Sequence, residues 1–293
     1  MSADARTAVH AGADTADPAP AGRDRAAGVL LALGIAAGLV LSAIPLLPMV
    51  SLVPAYVAGG YAIVAIGFAV VWFLMSRSVL WRPAGWRPLV PLLWGGFASM
   101  IVVVLAGDAT TTAVVNVGWE DAEYAFGGAW PEETGKLAGV ALVLIWIGLH
   151  RIRPWDGLLA GMLVGLGFEL VETVQYAAVG AVDDPNTDLA GFLDMWFARG
   201  VTGPGLHVFF TGIAGWALGV AMTSASRSPA ARIGIAAAGF LAGFLLHFLW
   251  NYEWPDAVAL PAHVGLWFVA AGLTAWAWIR FARRAAGSPS QRN

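Results

Sequence analysis

The chain has 293 residues, of which 59% are hydrophobic and 12% are charged, and its mean hydropathy is +0.71. A water-soluble domain of this size needs more charge to cover its surface, so the composition excludes that class and indicates a membrane protein with several spans. The net charge of −3 does not indicate a nucleic acid partner, and the absence of cysteine excludes disulfides, a thiolate nucleophile and cysteine-ligated metals.

The predicted elements begin with residues 1–26, which are rich in Ala, Asp, Gly and Pro and are expected to form a disordered cytoplasmic tail. We expect residues 27–284 to form one transmembrane helical domain and residues 285–293 a short tail. The first apolar stretch is not followed by a small-residue cleavage site, so we expect it to be retained. Stretches of nearly 20 apolar residues predict eight membrane-spanning helices, at about 27–47, 54–76, 88–107, 132–150, 156–179, 203–223, 230–250 and 261–282.

The charges of the loops predict the orientation of these helices. Arginines are concentrated in every second loop, and acidic residues are concentrated in the loops between them. Because short cytoplasmic loops carry an excess of Arg and Lys, this alternation places both termini in the cytoplasm. We therefore expect an all-α, polytopic protein of the cell membrane. The arginines of the predicted cytoplasmic loops are Arg77, Arg82, Arg87, Arg151, Arg153, Arg227, Arg232, Arg280, Arg283 and Arg284.

The segment Trp130–Lys136 places two adjacent carboxylates and an ammonium group at the start of the fourth predicted helix. Glu132, Glu133 and Lys136 are costly to place in hydrocarbon, and such residues indicate a functional site. Lys136 is also the single lysine of the sequence. For this segment alone, the alternative is that the charges only stabilise the helix and have no functional role. The helix dipole stabilises carboxylates in a first turn, and Lys136 can pair with Glu132.

Three other predicted helices also carry polar residues. The predicted topology brings all of them to the outer third of the bilayer, at the level of the charged segment, whereas chance placement would scatter them over both leaflets. Interhelical hydrogen bonds are an alternative explanation for the histidines. The residues are Glu169 and Glu172 in the fifth predicted helix, His207 near the start of the sixth, and His247 and Asn251 at the end of the seventh.

Carboxylates and imidazoles at one depth are suited to activating water for hydrolysis. A buried glutamate can act as general base, and Asn251 or a histidine can donate to the oxyanion formed when a peptide carbonyl is attacked. Two histidines and one carboxylate can alternatively hold Zn²⁺ with an open position for water. The use of a cofactor is left open by the sequence. If the protein is a zinc enzyme, we expect the ligands to be His207, His247 and Glu172.

Four short motifs follow one another along residues 120–251. They are Glu132-Glu133-x-x-Lys136; Asp156-Gly157 with Gly165-Leu166-Gly167-Phe168, Glu172 and Tyr176; Arg199 with His207, Gly215 and Gly219; and His247-Phe248-Leu249-Trp250-Asn251. Together they resemble the PrsW family of intramembrane proteases, which is related to the CAAX prenyl protease and bacteriocin-processing superfamily. Glu169 is an extra acid relative to the family pattern, and Thr173 stands where the family usually has Asn.

The resemblance implies roles for most of these polar residues. Glu132 or Glu133 is expected to activate the water, and the two adjacent residues are not distinguished. Glu172 and His207 are expected to assist or to bind a metal. The remaining residues of the expected site are His247 and Asn251, which orient groups or stabilise the oxyanion, and the supporting residues Lys136, Arg199 and Glu169.

The function that the resemblance implies is an intramembrane peptidase. Its expected substrates are membrane-anchored proteins, which it would cleave near the outer leaflet of the bilayer. A transporter or binding protein can use buried ions of the same kind, and a catalytically inactive membrane scaffold is a further alternative. The substrate and the oligomeric state are left open.

Overall fold

A computed structural model describes residues 21–81 and 85–286, and this part of the chain is helical and contains no strand. The prediction of an all-α protein is therefore confirmed for it. Most of the predicted N-terminal tail and residues 287–293 of the predicted C-terminal tail lie outside the described residues. The helices are α1 (Ala21–Leu52), α2 (Pro54–Ser76), α3 (Leu89–Leu93), α4 (Ser99–Asn116), α5 (Glu123–Ile147), α6 (Pro154–Asp183), α7 (Asp188–Thr202), α8 (Leu206–Thr223), α9 (Pro229–Asn251) and α10 (Asp256–Ala286).

Seven helical segments of the described chain are long and apolar enough to cross a membrane, so the protein is a multi-pass membrane protein. These segments are α1, α2, α3 joined to α4, α6, α8, α9 and α10. The π-helical turn Trp94–Ala98 makes α3 and α4 continuous. The remaining predicted span corresponds to α5, which begins at Glu123 instead of residue 132. Charged residues lower the apolarity of α5, yet three of them, Glu132, Glu133 and Lys136, are buried inside the protein.

Helix α7 was not predicted from the sequence. It has 15 residues, and a search for spans of about 20 apolar residues misses a helix of this length. The hydroxyl of Thr187 caps it by accepting a hydrogen bond from the N–H of Ala190 at 3.1 Å. Before it, the Asp184 carboxylate accepts hydrogen bonds from the backbone N–H groups of Asn186 and Thr187, which hold the pKa of Asp184 below its usual value.

Helices α6 and α8 pack backbone to backbone. Gly157, Gly161 and Gly165 recur every four residues along α6 and therefore lie on one face of the helix. A Cβ atom at any of them would collide with the main chain of α8, which supplies Gly215 and Gly219 at the far end of the contact. Small residues let membrane helices approach closely in this way. The contact brings the start of α8 to the middle of α6.

Burial differs widely among the helices. In α6, 78% of the most apolar segment is buried inside the protein, whereas the corresponding values are 17% in α1, 17% in α2 and 11% in α10. Exposed apolar side chains on these three helices face the surroundings, as expected for helices that contact lipid. The polar residues of the predicted site belong instead to α5, α6, α8 and α9 and to the short helix α7.

Candidate active site

Lys136 is at the centre of a buried polar cluster. Its side chain is fully buried, and the ammonium group lies 3.0 Å from Glu132 Oε2 and 2.9 Å from Glu133 Oε1. The three residues share a face of α5 because they are three and four positions apart. The third contact of the ammonium is with His207 Nδ1, at 2.9 Å. An ammonium donates three hydrogen bonds, so these contacts use its full capacity, and the ring of Phe168 covers it at 3.7 Å.

His207 connects this cluster to α6 and α7. Because Lys136 can only donate, Nδ1 of His207 accepts from it, and the opposite nitrogen Nε2 carries the proton. That Nε2 lies 2.9 Å from Glu172 Oε2 and donates to it. The same carboxylate oxygen accepts a hydrogen bond from the guanidinium of Arg199, which also lies over the ring of Tyr176 at 4.3 Å. Arg199 therefore anchors α7 beside the imidazole.

His247 reaches the same cluster from α9. Its Nδ1 lies 3.0 Å from Glu133 Oε1, and its Nε2 lies 3.7 Å from Glu132 Oε2. Asn251, one turn further along α9, places its side-chain nitrogen 3.1 Å from the same Nε2. A proton on Nδ1 satisfies both contacts, because Glu133 then accepts from His247 and the ring accepts from Asn251. Both acidic residues of α5 thus lie beside His247, and Lys136 links them to His207.

One polar residue of the cluster was missed by the sequence analysis. The hydroxyl of Thr211 donates to Glu133 Oε2 at 3.3 Å, and the side chain is fully buried. Thr211 lies four residues after His207 on α8, so the same helix face carries both. This spacing is the signal that could have identified it. The ring of Phe210 stacks on the His247 ring, with 5.4 Å between the ring centroids.

A cavity of about 300 Å³ opens beside the cluster. The carboxylates that line it belong to Glu169 and Glu172. Glu132 keeps 9% of its side chain exposed, whereas the exposed fraction of Glu133 is 1%. Among the predicted site residues, Glu132, Glu133 and Lys136 do not line the cavity. The residues that line it are Glu169, Glu172, Thr173, Tyr176, Met195, Ala198, Arg199, Gly203, Leu206, His207, Phe210, His247, Trp250 and Asn251.

A protein-family model matches residues 84–278, about two thirds of the chain. The matching family is described as the PrsW family of intramembrane metalloproteases. The chain belongs to the PrsW family. Searches of curated proteins and of solved structures found no match. The resemblance inferred from the four motifs is confirmed, and the protein is an intramembrane protease by family. The transporter and scaffold alternatives are supported by none of these observations.

The PrsW family is a metalloprotease family, and the described residues include a group that could hold a metal ion. It consists of Glu132, His207 and His247, whose potential ligand atoms all lie within 4.8 Å of one another. The sequence-based set contained Glu172 in place of Glu132, and that choice stays a prediction. In the structure the Glu172 carboxylate is held by Arg199 and His207, so it lies on the far side of the imidazole from the group.

The surroundings of the two histidines fit this group of donors. Metal-binding histidines usually donate their other ring nitrogen to a carboxylate or carbonyl, which fixes the orientation of the ring. Glu133 holds Nδ1 of His247 in this way, and Glu172 holds Nε2 of His207. The other two ring nitrogens accept hydrogen bonds in this structure, Nδ1 of His207 from Lys136 and Nε2 of His247 from Asn251. An ion bound by these nitrogens would have to replace both donors.

Proposed function

We propose that this PrsW-family protease hydrolyses peptide bonds of membrane-anchored proteins and that it uses Zn²⁺ held by Glu132, His207 and His247. One observation carries the proposal most strongly. The three potential ligands converge from α5, α8 and α9 within 4.8 Å, next to a cavity of about 300 Å³. Two histidines and one glutamate leave an open position on the ion, as in other catalytic zinc sites.

The donor set supports Zn²⁺ by its chemistry. Imidazole nitrogens and a carboxylate oxygen are common zinc ligands, and each imidazole is oriented by a second carboxylate. An ion bound there would polarise the peptide carbonyl and make a bound water more acidic. Lys136 shares Glu132 and His207 with the group, so its ammonium supplies the positive charge that these buried carboxylates require.

Glu172 is the residue that we assign as general base. A general base must reach the proton that it removes, and Glu172 borders the cavity where a substrate and a water would lie. Glu133 does not border it, and its contacts with Lys136, His247 and Thr211 suit an orienting role instead. Asn251 also lines the cavity and can donate to the oxyanion that forms on the peptide carbonyl.

The proposed site of cleavage is near the outer leaflet of the cell membrane. The arginine-rich loops follow α2 and α5 and precede α9, and the positive-inside rule assigns them to the cytoplasm together with both termini. The site residues lie toward the opposite ends of the helices. His207 is in the first turn of α8, and Asn251 is the last residue of α9.

Metal content and cleavage, measured on the same purified variants, test these roles separately. Glu132→Gln is expected to lose both the metal, by elemental analysis, and the cleavage of labelled single-span membrane proteins co-reconstituted in liposomes. Glu172→Gln is expected to weaken metal binding about 10- to 100-fold, because it loosens His207. With zinc at saturating concentration it should hold one metal per chain, while kcat falls about 100-fold or more, the range for loss of a general base. Glu133→Gln is expected to bind the metal about 10- to 100-fold more weakly.

Glu120→Gln is the matched control, because Glu120 is exposed and lies before α5. It should keep both metal and activity. Loss of the metal in Glu172→Gln, with normal metal content in Glu132→Gln, would support the set that was predicted from the sequence and overturn this assignment. A wild-type protein that cleaves its substrates fully in the presence of a chelator and without bound metal would exclude the zinc mechanism.

A further inference from the structure

Glu169 continues the glycine stripe of α6. Gly157, Gly161 and Gly165 contact the main chain of α8 at intervals of four residues, and the next position of the same series is Glu169. The two helices run antiparallel, so each step along the stripe meets an earlier residue of α8. Gly165 lies against the backbone of His207 and Val208. One turn further, Glu169 meets the N-terminal end of α8.

The N-terminal end of α8 lacks a cap from its own sequence. Gly205 precedes the helix with φ of 77°, a left-handed conformation that favours glycine, and it has no side chain that could accept a hydrogen bond. The first N–H groups of a helix have no acceptor within the helix. Glu169 Oε1 accepts from the N–H of Gly205 at 2.7 Å, and the N–H of Val208 is a further, weaker partner of the carboxylate.

The residue that this contact holds in place is His207. It is two positions after Gly205, and its ring is held on both sides, at 2.9 Å from Lys136 and 2.9 Å from Glu172. Glu172 is three residues after Glu169 on α6. One side chain of α6 therefore binds the backbone at the start of α8, while its neighbour one turn away binds the imidazole.

We propose that Glu169 is a positioning residue that caps α8 from α6 and thereby sets the depth and rotation of His207. The inference rests on the proposed function, in which His207 is a metal ligand. The contact needs only one acceptor oxygen. The other oxygen, Oε2, is buried and has no hydrogen-bond partner among the described residues, and the nearby guanidinium of Arg199 is bound to Glu172. A neutral amide can therefore replace the carboxylate.

The test compares Glu169→Gln and Glu169→Ala in the full-length protein in detergent. Hydrogen exchange is measured for a peptide covering residues 203–210, with residues 214–221 of α8 as an internal reference. Glu169→Ala is expected to raise exchange in the first peptide about 5- to 30-fold relative to the second, which corresponds to the loss of a helix cap. It should lower kcat about 10- to 100-fold with little change in KM, because His207 is displaced.

Glu169→Gln is expected to match the wild type in exchange and in kcat, since its amide oxygen can accept the same bond. Glu120→Ala serves as the control for loss of an acidic side chain. If Glu169→Gln is as impaired as Glu169→Ala, the charge is essential and the positioning role is excluded. Wild-type exchange and kcat in Glu169→Ala would also overturn it. If Glu169→Ala does not fold, a wild-type-like Glu169→Gln supports the role, and an impaired one contradicts it.

The exchange comparison is independent of the proposed function. A wild-type protein without protease activity would refute that function, while the amides of α8 would still report whether Glu169 caps the helix. Normal protease activity combined with unchanged exchange in both variants would refute the positioning role alone.

Discussion

Helices α6 and α10 are nearly equal in length and in apolarity, yet they occupy opposite environments. They have 30 and 31 residues, and both have a mean hydropathy of 1.6 in their most apolar segment. That segment is 78% buried in α6 and 11% buried in α10. Apolarity therefore directs both helices to the membrane but does not decide which one lies at the centre.

The small residues explain the difference between the two helices. In α6 they form a stripe with a spacing of four residues, and each contacts the main chain of α8. The glycines of α10, Gly265 and Gly272, are seven residues apart, and a Cβ atom at either would meet nothing within 4 Å. In a membrane, close backbone contact is a main source of attraction between helices, because lipid is as apolar as a leucine side chain.

The largest expected loss of stability comes from replacing the buried cation Lys136, which packs against α6. The comparison is with Arg280, an exposed cation on α10. Lys136→Met removes the ammonium and leaves the carboxylates of Glu132 and Glu133 without their shared cationic partner. The loss should cost about 3–5 kcal/mol of unfolding free energy. In Arg280→Met the change should stay within about 0.5 kcal/mol, because Arg280 is exposed. Thermal unfolding in detergent measures both, and equal effects would contradict the comparison.

A methyl group added at a glycine of α6 should have the next largest effect, compared with one added at a glycine of α10. The Cβ of Gly161→Ala would lie 2.3 Å from the carbonyl oxygen of Thr211, so the helices must separate, at a cost of about 1–3 kcal/mol. Gly272→Ala adds a methyl group in open space and should stabilise α10 by up to about 1 kcal/mol, since alanine is the better helix former. Unfolding temperatures should move in opposite directions, and a shared direction would show that close packing is not limiting at Gly161.

Two buried threonines allow a smaller, isosteric test. Thr211 donates to Glu133, whereas the hydroxyl of Thr274 on α10 is buried and has no hydrogen-bond partner among the described residues. Thr211→Val should therefore cost about 1–3 kcal/mol by leaving Glu133 Oε2 unsatisfied, and should also lower activity. Thr274→Val should be neutral or slightly stabilising. The idea fails if Thr274→Val is the more harmful substitution in paired measurements of stability and cleavage.

The smallest effect is expected at the end of α6, outside the membrane. The folded protein holds the pKa of Asp184 below its usual value through the N–H groups of Asn186 and Thr187. The stabilisation is therefore complete above the unfolded pKa of about 3.9 and disappears as the pH falls through the lower folded value. Asp184→Ala should reduce the unfolding temperature slightly at pH 7, and the difference from wild type should shrink below pH of about 4.

Asp183→Ala is the matched control for this residue, because its carboxylate accepts no backbone hydrogen bond of this kind in the described part of the chain. Its unfolding temperature at pH 7 should stay close to that of the wild type. A gap between Asp184→Ala and wild type that widens on acidification has the wrong sign for a lowered pKa and would count against the capping contact.

Much of the site could be predicted because local spacing and global topology each constrain it. The separations of three and four residues place Glu132, Glu133 and Lys136 on one helix face, and the structure joins them directly. The four helices that carry the predicted polar residues also meet. The short helix α7 was missed because it is too short to cross a membrane. Thr211 was missed because a threonine, unlike a charged residue, costs little free energy in an apolar helix and so does not stand out in the sequence.

The sequence by itself determined the membrane class, the helical content and the set of residues that share each helix face, because these properties depend on composition and on contacts within a turn. Only the tertiary structure decided which carboxylate meets which imidazole. The potential ligand atoms of Glu132, His207 and His247 lie within 4.8 Å of one another, whereas Glu172 lies between His207 and Arg199. These partners depend on the position of α8 along the axis of α6, and backbone contacts at the glycine stripe fix that position. A pattern within one helix carries no information about such a distance.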